Sequence, residues 1–124
     1  MSETCLIHKT FHLECAHRLP HTPPGHKCAR LHGHSYRIEL RLRGPLQTPE
    51  GWVRDFAEVT AAFTPIREKL DHRCLNDVPG LENPTSEILA VWLYRTLKPA
   101  LPELVAVEVG ETPTSGALYA PEGD

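Results

Sequence analysis

Apolar and polar positions alternate along two early stretches of the chain and recur at helical spacing along two later ones. From Leu6 to His17, Phe11, Leu13, Cys15 and His17 share one parity, so a strand here presents them to a single face of a sheet. "RLPHTPPGHKC" follows, and its three prolines and glycine make it a loop. A second strand runs from Leu31 to Arg43. Ile38, Leu40 and Leu42 face one way along it, and Arg37, Glu39, Arg41 and Arg43 the other, the pattern of a half-buried strand. "GPLQTPEG" then turns the chain.

Asp55 is placed to cap a helix running to Leu70, with Val59, Phe63, Ile66 and Leu70 at helical spacing on its buried side. Pro65 should kink or split that helix, because it brings no N–H to the ladder. A connector, "DHRCLNDVPGLENP", leads to a second helix opening at "NPTSE". There Asn83 or Thr85 can cap, and Glu87 sits at the positive end of the dipole. Leu89, Trp92, Leu93 and Leu97 form its apolar stripe. "LVAVEVGET" reads as a strand through Val105, Val107 and Val109, and Ala117–Tyr119 as a short last one. The order ββααββ predicts an α+β domain, one unit over residues 1–124, with a mostly antiparallel four-stranded sheet and the helices inserted between strands 2 and 3. Such a sheet has two unpaired edges, which pairing between copies would cover.

Composition changes this picture in one respect. Thirteen Lys and Arg against sixteen Asp and Glu give a net charge of −3 with no basic tract, so nothing points to nucleic acid or an anionic membrane. No apolar run approaches the ~20 residues of a membrane span, and "MSETCLIHKT" lacks the basic head and apolar stretch of a signal peptide, so the expected location is cytoplasmic. The four cysteines, Cys5, Cys15, Cys28 and Cys74, show no C-x-x-C spacing and are expected as free thiols, each a small buried hydrophobe unless argued otherwise. The anomaly is histidine: there are eight, and seven precede residue 35.

His32 and His34, one residue apart on a strand, project from the same face. His17 ends the first strand on the inward parity, where pairing brings it beside them. Gly33 between the pair leaves room for a close backbone approach. Three imidazoles match the ligand count of a catalytic zinc site with one open position, whereas Cys28 as a fourth donor would close a structural one. His8, His12, His21 and His26 have no partner at useful spacing and read as surface residues. Asp71–His72 is either a helix-end surface pair or a carboxylate fixing an imidazole tautomer for proton transfer. Cys28, in the loop before the histidine pair, becomes a nucleophile or base if an imidazole lowers its pKa. Glu111 ends the third strand, and its carboxylate could accept two parallel hydrogen bonds from a flat heterocycle or simply meet solvent.

The blocks "ECAHRLP", "GHKCARLHGHSY", "DFAEV", "LDHRCLND", "ENPTSEILA" and "ETPTSGALY" give the chain, from Phe11 to Tyr119, a resemblance to the 6-pyruvoyl-tetrahydropterin synthase family, and most to its bacterial carboxy-pterin branch. The resemblance implies zinc, one per subunit, on His17, His32 and His34. It implies a catalytic Cys28, an acid–base pair Asp71 and His72, a pterin-anchoring Glu111, and a pocket lined by Thr85, Ser86 and Glu87. It further implies the tunnelling fold, in which sheets of several subunits join into a barrel and two trimers stack as a homohexamer with active sites at subunit interfaces. The activity implied is that of a zinc-dependent lyase of queuosine biosynthesis. It takes 7,8-dihydroneopterin triphosphate to 6-carboxy-5,6,7,8-tetrahydropterin, acetaldehyde and triphosphate. The short "CARLHGH" segment fits the carboxy branch, since the pyruvoyl branch has a longer, asparagine-rich one. Two rivals stand beside this: a pyruvoyl-forming synthase that eliminates triphosphate without carbon–carbon cleavage, and a non-catalytic zinc-binding module. Lys27 and Arg30 are candidates for the triphosphate by charge, and equally read as solvated loop cations.

Overall fold

A computed structural model describes residues 3–123. Strands β1 (Thr4–His17) and β2 (His32–Pro45) are followed by helices α1 (Phe56–Leu70) and α2 (Ser86–Leu97), then by strands β3 (Leu104–Thr112) and β4 (Ser115–Tyr119). The strands form one antiparallel sheet in the order β1-β2-β3-β4, the α+β arrangement expected.

Alternation decides which face is covered. Phe11, Leu13 and Cys15 of β1 and Tyr36, Ile38, Leu40 and Leu42 of β2 are buried, and join Val59, Phe63, Ile66 and Leu70 of α1 and Leu89, Leu93 and Leu97 of α2 in one apolar cluster. Phe11 stacks on Phe63 with ring centroids 4.0 Å apart and planes at 6°, fixing α1 against β1. The other face carries charge. Glu39 and Glu108 are directly opposed across β2 and β3, a destabilising pair by itself. Arg41 bridges them at 2.7 Å on each side, and Arg37 adds 3.0 Å to Glu108.

The structure corrects the sequence reading at four points. Pro65 does not split α1, which runs through it as one helix. Pro65 and Ala61, whose carbonyl would have been its partner, are both exposed, so water can satisfy that carbonyl. In β3 the pairing steps from Leu42↔Leu104 to Arg41↔Ala106, leaving Val105 as the extra residue of a bulge. Leu104, Val107 and Val109 therefore face the cluster and Val105 does not. Trp92 is only partly buried, and Ala90 takes a place in the core. Finally, the β1 edge is not wholly open. Ala16 N–H donates to Arg73 O at 3.0 Å and His72 N–H to Glu14 O, so the segment after α1 runs along it.

Of the two capping candidates for α2, Thr85 is the one used: its Oγ1 accepts from Ile88 N–H at 3.1 Å. Thr85→Ala should cost about 1 kcal/mol. Urea unfolding would show this as a lower midpoint at unchanged slope.

Candidate metal centre and active site

The register of β1 on β2 assembles the centre. His17 pairs directly with His32 and Cys15 with His34, which places His34 diagonally across from His17 on the face toward the helices. The three imidazoles stand edge to face, with centroids 4.5, 5.0 and 4.9 Å apart. One ring nitrogen from each lies within 4.8 Å of the others. Gly33 is not what permits this, since a Cβ there would meet only Cys15 O at an ordinary 3.5 Å.

Main-chain carbonyls orient the rings. His17 Nδ1–H donates to Pro84 O at 2.9 Å and His32 Nδ1–H to Arg30 O at 2.7 Å. These bonds leave both Nε2 atoms as lone-pair acceptors, and they face each other at 3.0 Å. His34 Nε2 is buried without a hydrogen-bond partner. Two lone pairs facing each other beside a third ring nitrogen that is buried without a partner fit a bound cation, and carbonyl-oriented imidazoles are what metal ligation ordinarily requires. Burial, before any other influence, lowers the pKa values of His17 and His34; the bond to Pro84 O opposes this at His17 and Glu111 at both, while His32 adds to it at both and His34 at His17. Both rings are then neutral at neutral pH. Metal content measured against pH should hold to below the ordinary imidazole range of about 6.5 before protons displace the metal.

Glu111 and Ser86 join the centre. Glu111 Oε1 is 3.8 Å from Nε2 of both His17 and His34, and Ser86 Oγ–H donates to that same oxygen at 3.2 Å. Thr85 is occupied in capping, and Glu87 is exposed in the first turn of α2. Tyr36 was not anticipated. Its hydroxyl, fully buried, lies 3.1 Å from His17 Nδ1. The signal was available, since Tyr36 continues the parity of His32 and His34.

Cys28 lies in a single 3-10 turn, Lys27–Ala29, and is half-buried. It does not join the group of converging donors among the described residues. Its N–H donates to His26 Nδ1 at 3.0 Å, so His26, exposed as expected, caps the turn. Cys15 is the only buried cysteine: Cys74, like Cys28, is half-buried, and Cys5 is exposed. Burial pushes the Cys15 thiol up to about 12, and it donates to Leu70 O at 3.1 Å.

Asp71 and His72 sit where α1 ends against β1. Asp71 Oδ1 accepts from Glu14 N–H at 2.9 Å, and Oδ2 lies 3.2 Å from His72 Nδ1. His72 holds a left-handed backbone, φ 60°, and its ring is 76% exposed. It lines a hollow of about 480 Å³ whose wall includes Glu14, Ala16, Gly33 and Ser35 and also Cys15 and the imidazole-bearing His34. The Glu14 N–H, more than any other group, holds the Asp71 carboxyl below the usual carboxylate range, with His72 and Arg67 adding to it. A lowered pKa stabilises the fold above the unfolded value and loses that contribution as pH falls through the folded one. Asp71→Asn should therefore be least stable relative to wild type near neutral pH, the gap closing below about pH 4. Unfolding curves across that range check it.

Fold and centre together define an α+β protein built around a three-histidine metal site, with an anionic side chain beside it. The chain belongs to the 6-pyruvoyl tetrahydropterin synthase family, whose pattern it matches over residues 6–122. It is 45% identical over 120 residues to 6-carboxy-5,6,7,8-tetrahydropterin synthase of Synechocystis sp., covering 92% of both chains. The Bacillus subtilis protein of that name is 29% identical over 128 residues, covering 94% of this chain and 85% of its own. The solved 6-pyruvoyl tetrahydropterin synthase of Caenorhabditis elegans superposes with a TM-score of 0.89 at 26% identity, covering 96% of each chain. No helix among the described residues is long and apolar enough to cross a membrane.

Proposed function

We propose that the protein is a cytoplasmic, zinc-dependent 6-carboxy-5,6,7,8-tetrahydropterin synthase. It would convert 7,8-dihydroneopterin triphosphate to the carboxy-pterin with release of acetaldehyde and triphosphate, in queuosine biosynthesis. The observation that carries the reading is 45% identity to a synthase of that name across 92% of both chains. The converging donors of His17, His32 and His34 support it.

His17, His32 and His34 would hold the zinc, one per subunit, and that ion supplies a Lewis acid for oxygens on the substrate side chain. Glu111 accepts hydrogen bonds from the N–H edge of the pterin and so fixes where the side chain lies. Ser86 holds that carboxylate, and Thr85 and Glu87 flank it at the start of α2. Cys28, as thiolate, takes a proton from the substrate side chain. His72, with its tautomer set by Asp71, returns one. His72 is largely exposed on the segment that runs along the edge of β1, so the Asp71–His72 pair would serve the site of a copy that docks there. A homohexamer of two trimers, joined through the edges of β1 and β4, provides that neighbour.

The deciding experiment incubates zinc-loaded protein with 7,8-dihydroneopterin triphosphate, traps acetaldehyde and weighs the pterin product. Carboxy-pterin with acetaldehyde is the expected result. A pyruvoyl product without acetaldehyde would place the protein in the sister branch, and no turnover with zinc bound would leave a binding module.

A further inference from the structure

We propose that Glu111 is a fourth donor to the metal at His17, His32 and His34, and that a pterin ring draws the carboxylate away, so that recognising the ring opens the metal to the substrate side chain. The second half rests on the reading of Glu111 as the ring's anchor; the first half does not.

Glu111 lies where the β3–β4 pairing shifts register between Gly110 and Thr112, and its carboxylate turns to the side from which His17 and His34 project. Its Oε1 is equidistant from their two Nε2 atoms, at 3.8 Å. A tetrahedral centre with bonds of about 2.0–2.1 Å holds its donors about 3.3 Å apart, so the oxygen is within about half an ångström of a ligand position relative to those two rings. It stands outside the group whose donors all lie within 4.8 Å of one another, so ligation requires the side chain to turn toward His32. Ser86, only 9% exposed, donates to the same oxygen and keeps it on this side.

Two needs meet at this point. His34 Nε2 is buried with no partner, and three neutral imidazoles leave the charge of a divalent ion uncompensated, which one carboxylate would halve. Cys28, the other donor considered, lies outside the converging group as Glu111 does, but it is Glu111 that comes within 4 Å of two of its rings. A carboxylate oxygen bound to metal is not available for two parallel hydrogen bonds to a ring edge, so the two partners of Glu111 exclude each other.

Metal-free protein titrated with Co²⁺, whose visible spectrum reports donor type and number, tests ligation without any substrate. Wild type, Glu111→Gln and Cys28→Ser are compared, with circular dichroism confirming that each is folded. Glu111→Gln should bind Co²⁺ at least about tenfold more weakly and with a changed spectrum, while Cys28→Ser should match wild type. Equal affinity and an unchanged spectrum in Glu111→Gln would overturn the proposal, as would a thiolate-to-cobalt band that Cys28→Ser removes.

6-Methylpterin, which carries the ring without the hydroxylated side chain, is then added to the cobalt protein, and its binding is followed by calorimetry. Binding should shift the wild-type spectrum toward that of Glu111→Gln and leave the variant's unchanged. 6-Methylpterin bound without a spectral shift overturns the displacement. 6-Methylpterin that fails to bind wild type overturns the anchoring role on which displacement rests and leaves the cobalt result standing.

Discussion

His32→Ala is expected to cost the protein its metal and leave its fold intact. His32 is one of the two half-buried members of the cluster, at the first position of β2. Its Nε2 faces the Nε2 of His17 at 3.0 Å, and apart from that its ring holds only Arg30 O at 2.7 Å, so removing it gives up one partly exposed hydrogen bond. Metal-free stability should change by about 1 kcal/mol or less, the range of a single partly exposed hydrogen bond. Metal affinity should fall at least about a hundredfold, since loss even of an orienting partner costs up to that. Metal content after dialysis and the unfolding midpoints of metal-free wild type and variant separate the two effects. His17→Ala tests less cleanly: that ring is 1% exposed and holds Pro84 O, so its removal leaves a cavity and an unpaired carbonyl. A His32→Ala protein that keeps a full equivalent of metal would move the site away from this cluster.

Alternation made much of this legible from the sequence. Phe11, Leu13, Cys15 and His17 face inward as read, and so do Ile38, Leu40 and Leu42. The same period-two logic placed three histidines on one face before any register was known. What escaped depends on main-chain atoms or on pairing between distant segments. Pro84 O and Arg30 O orient two rings, and a carbonyl leaves no mark on residue type. The bulge at Val105 breaks parity through a pairing that the valines themselves disguise. Asp71 is held by the N–H of Glu14, 57 residues away. That clamp, and the left-handed His72 beside it, belong to the meeting of α1 with β1 and not to the "DH" dipeptide. Glu111 was visible as a strand-end carboxylate; its nearness to two imidazoles required the β2–β3 register.

The second large effect is expected at Cys28: alanine there should keep the metal and lower turnover about 10²–10⁴-fold, the range for loss of a positioned acid or base. The turn that carries it is held by main-chain bonds, from Leu19 N–H to Cys28 O at 2.8 Å and from Cys28 N–H to the His26 ring at 3.0 Å. Neither uses the thiol, so deleting it disturbs no contact that shapes the loop. Asp71 offers no such separation, because its carboxylate both anchors the chain to Glu14 and faces His72. Metal content and turnover of Cys28→Ala, measured on one preparation, then divide three cases. Metal kept and activity lost makes the thiol the reacting group. Metal lost makes it a ligand, closes the coordination set and favours a binding module. If both survive, the proton leaves the substrate by another residue, and His72 is the first to replace.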